Sequence, residues 1–401
     1  MLFTLINASV VILSVLVAIP IAMLLIEVLA ALASRNSVPC PAGSEVPASV
    51  AVVVPAHDES EGLRPTLAKI GAQLRKGDRL VVVADNCTDD TAAIAAAAGA
   101  EVVERRDPLR IGKGFALDAG VRHLGANPPD VVIIIDADCH PSAGAIRRLA
   151  TTCIVSGRPV QALYLMTSPD RTSLNYSVAE FAWLLKNWIR PLGLARLALP
   201  CQLMGTGMAF PWPVIRDANL ATGHIVEDMR LGLDLSAANC APLFCPDAVV
   251  TSEFPVSAQG AATQRQRWEH GHLQLIKDAV LPMLWLAIRR RNLHLAATVL
   301  DMSVPPLALL VLVATAVLLL AAAVTWLTGA ILPLTLAALA CAGLAGAVVL
   351  AWTRWGRSVL PAASLARIPL YVCGKLALYL NLFRNGPNAK WIRTDRNGAN
   401  S

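Results

Sequence analysis

Asp130-Val131-Val132-Ile133-Ile134-Ile135-Asp136-Ala137-Asp138 is a β-branched run that ends on two carboxylates one residue apart. Such a run, with no polar alternation, reads as a strand buried on both faces. The pattern recurs upstream. Ser49–Val54 is a β-branched run ending at Pro55, Arg79–Val83 is a second, and Glu101–Val103 is a third. Between them Glu61–Gln73, Asp90–Ala98 and Gly114–Leu124 read as helices. This alternation predicts an α/β domain built on a doubly wound sheet. Ligands of such sheets bind beyond the carboxyl ends of the strands. His57-Asp58-Glu59, Asp85 and Asp136–Asp138 all follow strand ends, so they are expected to converge on one edge.

The flanks differ in kind. Over the 401 residues, 55% hydrophobic content and a mean hydropathy of +0.55 are too apolar for an ordinary soluble enzyme. The excess lies in residues 8–33, 304–328 and 334–353. Val10–Leu32 carries one charge, Glu27, and is long enough to cross a bilayer core of about 30 Å. It lacks a basic n-region and a cleavage site, which favours a retained anchor over a signal peptide. Ser303–Thr328 and Pro333–Thr353 read as a helical hairpin turning near Gly329. Arg35, Arg289–Arg291, Arg354 and Arg357 all flank the spans on one side, which the positive-inside rule makes cytoplasmic.

The expected layout is a spanning helix over 1–34, a linker over 35–49 and a cytoplasmic catalytic domain over 50–280. A basic membrane-proximal segment over 281–303, the hairpin over 304–353, and an interfacial amphipathic helix with a basic tail over 354–401 complete it. The setting expected is a plasma or inner membrane. Basic flanks beside an anionic leaflet account for the net charge of +6 without nucleic acid. The nine cysteines show no CxxC spacing, so reduced structural thiols are expected.

Several clusters carry chemistry. Asp136-x-Asp138 after a buried strand suits a hard divalent cation, which takes oxygen ligands and bridges diphosphate oxygens. The competing reading is a pair of loop acids ahead of the next helix. Asp85 stands where a carboxylate can accept from a base or ribose, with Thr88 or Asp89 as turn and capping residues. Pro55, Ala56, His57, Glu59 and Ala137 would line the same pocket. Arg110-Ile111-Gly112-Lys113-Gly114 lacks the spacing of a P-loop, yet Lys113 at a helix start can neutralise a diphosphate. Glu227-Asp228 opens a helix, where Asp228 can serve as a general base. Gln264-x-x-Arg267-Trp268 sets a cation and a flat ring on one helical face. Alone it would read as an amphipathic interface helix.

Val54-Pro55-Ala56-His57-Asp58-Glu59, Asp85 with Thr88-Asp89, Asp136-Ala137-Asp138, Glu227-Asp228 and Gln264-x-x-Arg267-Trp268 fall in one order. The ordered set resembles the membrane-bound, inverting family-2 glycosyltransferases. These include cellulose, chitin and hyaluronan synthases and ceramide-glucosyltransferase-like enzymes. The resemblance covers about residues 50–275.

It implies a GT-A fold, a UDP-sugar donor and Mg²⁺ or Mn²⁺. Asp85 would contact the uracil or ribose, Asp136 the ribose and diphosphate, and Asp138 the metal. Asp228 would be the base, while Glu227, Gln264, Arg267 and Trp268 would serve the diphosphate and acceptor. The implied acceptor is a glycan or a lipid-linked molecule in polysaccharide or cell-envelope synthesis. Two features depart from the processive synthases. Val226 replaces their usual Thr, and fewer spans are expected than a polymer channel uses. Single addition to a glycolipid, or a non-catalytic scaffold with a nucleotide-sugar fold, are the alternatives.

Overall fold

The computed structural model describes residues 1–33, 48–60, 62–376 and 378–379. Helix α1 (Leu2–Ala33) is followed by β1 (Val50–Ala56), α2 (Leu63–Gly71), β2 (Arg79–Asp85), α3 (Thr91–Ala97) and β3 (Glu101–Arg105). Then come α4 (Lys113–Leu124), β4 (Val131–Ile134), the short β5 (His140–Pro141), α5 (Ala145–Ser156) and β6 (Val160–Thr167). Helix α6 (Leu174–Leu184) passes through a π-helical turn (Leu185–Ile189) into α7 (Arg190–Arg196). Strand β7 (Met208–Pro211), α8 (Trp212–Arg216), α9 (Glu227–Ala237) and β8 (Leu243–Glu253) follow. The chain closes with α10 (Ala258–Arg290), α11 (Leu293–Met302), α12 (Leu307–Thr328), α13 (Leu332–Ala351) and a short α14 (Ile368–Gly374).

One sheet runs through the domain in the order β3-β2-β1-β4-β7-β6-β8-β5. Strands β1 to β4 are mutually parallel, as the strand–helix alternation predicts. The sheet as a whole is mixed, because β7 enters antiparallel to both β4 and β6. Side-chain alternation explains the two covered faces. Val50, Val52 and Val54 face Leu63, Leu67 and Ile70 of α2 and Ile146 and Leu149 of α5. Ala51 and Val53 face Ala116, Leu117 and Val121 of α4. At Gly120 the packing is so close that a Cβ would lie 2.8 Å from a Val53 methyl.

Among the described residues three helices are long and apolar enough to cross a membrane: Leu2–Ala33, Leu307–Thr328 and Leu332–Gly356. They share one cluster with the π-turn and α7, through Leu24, Val28, Ile189, Leu194, Val317 and Leu344. Helix α1 crosses α7 at Gly193, where a Cβ would stand 2.0 Å from the Glu27 carbonyl oxygen. Glu27 is fully buried there, and its Oε2 accepts from Arg190 Nε at 2.7 Å. Arg190 also donates to Asp301 of α11, so one guanidinium ties the candidate span α1 to α7 and α11.

Helix α10 runs unbroken through residue 280, where a domain boundary was expected, and carries both Gln264 and Arg290. Pro282 lies within it, and the helix stops only at Arg291, whose φ is 52°, and at the cap formed by Asn292. Most of the expected linker, and the basic tail from 380 onward, lie outside the described residues. The expected interfacial helix is a 3₁₀ turn (Ala362–Arg367) leading into α14. That segment rests on α10, with Lys375 Nζ 3.8 Å from Glu269 and the Tyr371 hydroxyl accepting from Arg265 at 3.0 Å.

Candidate active site

The parallel strands bring their carboxyl ends to one edge, and the turns that follow are tight. Asp58 and Asn86 adopt left-handed backbone (φ 51° and 53°), a conformation Asp and Asn tolerate better than most residues. These turns lock onto each other. Asp58 accepts from the Thr88 amide at 2.7 Å, and Asn86 Oδ1 accepts from the Asp107 amide at 2.7 Å. Asp89 Oδ1 accepts from the Thr91 amide at 3.0 Å, the turn role expected of Thr88 or Asp89.

The result is a cavity of about 270 Å³. Pro55, Ala56, His57, Glu59 and Asp85 line it from β1 and β2, and Asp136, Ala137 and Asp138 from the end of β4. Lys113 projects from the start of α4, Glu227 and Asp228 from the start of α9, and Gln264, Arg267 and Trp268 from α10. Every residue given a donor, metal, acceptor or catalytic role from the sequence lines it, whereas Asp58, Thr88 and Asp89 hold the interlocked turns. Asp85 is buried and accepts from Arg105 at 2.5 Å, while its carbonyl oxygen is 2.6 Å from His57 Nδ1. Arg105 also lies over the Phe115 ring, 5.4 Å from its centroid.

Lys113 is the electrostatic centre. Its Nζ is 2.5 Å from Asp136 Oδ1 and 4.0 Å from Glu227 Oε1, and it donates to the Gly205 carbonyl at 2.7 Å. Burial works against its charge, but Asp136, Glu227 and Asp228 hold its ammonium above the ordinary value. Burial followed by the charge of Asp228 pushes Glu227 up to about 8, against the pull of Lys113. Burial likewise raises Asp228, opposed by Lys113 and Lys186. Gly205 is forced by geometry: its φ is 87°, and a Cβ would lie 3.4 Å from Asp228 Oδ2 and 3.5 Å from Lys113 Nζ.

Two carboxylates suit a cation. One donor atom from each of Asp136, Asp138 and Cys139 falls within 4.8 Å of the others. Cys139 does not belong to that set chemically. Its sulfur is a soft ligand, poorly suited to a hard cation, and it donates to Asp138 Oδ1 at 3.6 Å and to the Tyr164 hydroxyl at 3.9 Å, while burial, then Asp138 and Asp136, push the thiol well above the usual range. The remaining oxygen pair fits a hard divalent ion.

Sequence reasoning missed the contribution of α6 and its π-turn. Trp183, Lys186 and Asn187 line the cavity, as does Tyr164 of β6. Trp183 makes an edge contact with Tyr164 (centroids 5.3 Å apart), donates from Nε1 to the Tyr164 carbonyl at 3.1 Å, and lies 5.2 Å from Trp268. The aromatic and lysine within an otherwise apolar helix were the available signal. His224 and Ile225, before α9, complete the mouth.

The sequence profile of "Glycosyltransferase like family 2" matches residues 47–271, more than half of the chain. The chain belongs to glycosyltransferase-like family 2. The matched span contains β1 to β8 and the Gln264–Trp268 helix, so the family domain and the cavity coincide.

An uncharacterized glycosyltransferase of Mycobacterium tuberculosis (strain ATCC 25618 / H37Rv) is 42% identical over 123 residues, 29% of this family-2 chain and 52% of that protein. The chain thus spans about half the length of that relative. Glucosyl-3-phosphoglycerate synthase of Mycolicibacterium paratuberculosis is 39% identical over 97 residues, 22% of this chain and 28% of that one. Among solved structures, a mannosyltransferase of Pyrobaculum calidifontis in complex with GDP-Man and Mn²⁺ aligns with a TM-score of 0.49. Its identity is 17%, and the alignment covers 87% of this chain and 99% of that one.

Proposed function

We propose that the chain is a membrane-bound inverting glycosyltransferase that moves a sugar from a UDP-sugar to an acceptor hydroxyl, in polysaccharide or cell-envelope synthesis. The observation that carries this reading is the single cavity shared by Asp85 at the end of β2, Asp136 and Asp138 after β4, Asp228 at the start of α9, and Arg267 and Trp268 on α10.

In this reading Asp85 and His57 receive the nucleoside end, and Asp136 with Asp138 would hold Mg²⁺ or Mn²⁺. When bound, that ion supplies positive charge for the departing diphosphate. Lys113 and Arg267 add cationic donors to the same oxygens. Asp228 takes the acceptor proton as the acceptor oxygen bonds to the anomeric carbon. The bond from that carbon to the diphosphate oxygen breaks, and its electron pair leaves with UDP. Attack opposite the leaving group inverts the anomeric centre. Trp268 and Trp183 offer ring faces for the acceptor.

The candidate spans favour a site close to a membrane surface, and the basic flanks Arg289–Arg291, Arg354 and Arg357 favour the cytoplasmic side. Release of UDP from a panel of UDP-sugars with Mn²⁺, by the full chain in nanodiscs containing membrane lipids, tests the activity. Turnover of one donor by wild type and none by Asp228→Asn is expected. Equal turnover by both overturns the assignment of Asp228. No turnover together with no UDP binding favours a non-catalytic scaffold.

A further inference from the structure

A second cavity, of about 240 Å³, adjoins the first and has a different lining. The candidate membrane helices build much of its wall, through Leu24 of α1, Leu307, Ala308 and Val311 of α12, and Val348 beside the π-turn that follows α13. Helix α6 supplies Phe181 and Ala182, and α14 supplies Val372. The Lys375–Glu269 ion pair and the hydrogen bond from Arg265 to Tyr371 hold the α14 segment against α10 beside this cavity.

Four side chains line both cavities: Trp183, Lys186, Gln264 and Trp268. The two indoles stand 5.2 Å apart at their centroids, inclined by 39°, and Lys186 Nζ lies 6.0 Å from the Trp183 ring. A polar chamber that holds the acids thus meets, at one aromatic and cationic portal, a second chamber that is mostly apolar and walled in part by the candidate spans, with Arg190, Glu269, His272 and Lys375 also in its lining.

We propose that the acceptor is a membrane amphiphile whose apolar chain occupies the second cavity and whose hydroxyl-bearing head reaches Asp228 through the Trp183–Trp268 portal. This rests on the sugar-transfer reading above and names the acceptor class it leaves open. A water-soluble acceptor would leave an apolar chamber beside the base without an occupant. A lipid chain fits because moving it from bilayer to an apolar wall is nearly neutral, lipid tails being as apolar as leucine. The chamber therefore admits the chain and lets it go, while the head at the portal supplies the selectivity. The transfer step is unchanged: the head's hydroxyl oxygen gains the sugar, its proton goes to Asp228, and UDP departs with the bonding pair.

The test uses the full chain in nanodiscs with a diazirine-bearing hexadecanol, followed by light and peptide mapping. Label is expected on the segments 178–185 and 304–311. Val311→Trp should reduce that label about tenfold by filling the cavity. Label on the outward-facing Leu319 and Leu339, which serves as the bilayer control, should persist. Val311→Leu should keep the wild-type pattern, and Ala308→Trp repeats the test should Val311→Trp misfold.

With donor present, transferred sugar should appear in the lipid extract and fall in parallel with the label. Chamber segments that stay unlabelled in wild type, label that survives Val311→Trp undiminished, or a product confined to the water phase would each overturn the proposal. UDP titration separates the two readings. Absence of UDP binding to wild type sinks the sugar-transfer reading, whereas UDP binding beside an unlabelled chamber sinks only this one.

Discussion

Lys113 Nζ stands 2.5 Å from Asp136 Oδ1, so a lysine already occupies one of the two carboxylates offered to a metal. Cation and lysine compete for Asp136 until a diphosphate arrives with oxygens for both. Lys113→Met should raise the affinity for Mn²⁺ alone by about tenfold and lower that for UDP by a similar factor, since charge-assisted contacts of this kind are worth about 1.5–3 kcal/mol. Free Mn²⁺ measured by electron paramagnetic resonance, with and without UDP, reads both effects. Equal losses in the two titrations would contradict the competition.

Asp228 lines the cavity at the start of α9 and is the proposed base. Asp228→Asn should therefore lower turnover by about 10²–10⁴-fold and leave UDP binding within about twofold. Single-turnover kinetics beside a UDP titration separates the two. A parallel loss of binding would make Asp228 a donor-site residue instead.

The carboxylate pair at the start of α9 makes ligand-free stability depend on pH. Glu227 is raised from 4.5 to about 8 by burial and by Asp228, opposed by Lys113, so the folded state binds its proton more tightly than the unfolded chain does. That contribution is complete below the unfolded value of 4.5 and is lost as pH rises through about 8. Thermal unfolding across this window should show stability falling with pH in wild type, with a shallower fall in Glu227→Gln. An unchanged slope in the variant would contradict the assignment.

Arg190 bridges Glu27 in α1 to Asp301 in α11, and Gln202 also donates to Asp301 at 2.5 Å. Arg190→Met strands two buried carboxylates, which should cost about 3–5 kcal/mol. Gly193→Ala should also destabilise, because its Cβ would meet the Glu27 carbonyl oxygen at 2.0 Å. Unfolding of the detergent-solubilised chain, followed by Trp fluorescence, measures both. A change within experimental scatter for either would mean that α1 is not held at this crossing.

The nucleotide-facing half was legible because its information is local. A β-branched run states a buried strand, and an acid after it states an edge position, so Asp85, Asp136 and Asp138 could be placed without tertiary knowledge. The antiparallel β7 was not legible, since Met208–Pro211 is too short to show a period, and its direction is set by pairing with β4.

Lys186 and Asn187 were missed for a related reason. They sit in the π-turn Leu185–Ile189, whose wider winding a 3.6-residue reading of the sequence does not reveal, and from there they line the cavity. The boundary expected at 280 followed a change in composition, whereas α10 continues through it and past Pro282 to Arg290.

The central claim is that the cavity between β4, α4 and α9 is a metal-dependent nucleotide-sugar site. Calorimetry of UDP against the full chain, with and without Mn²⁺, in wild type and Asp138→Asn, tests it most directly. The account predicts Mn²⁺-dependent binding to wild type and loss of that dependence in Asp138→Asn. Equal Mn²⁺-dependent binding to both proteins, or no binding to wild type, would contradict it.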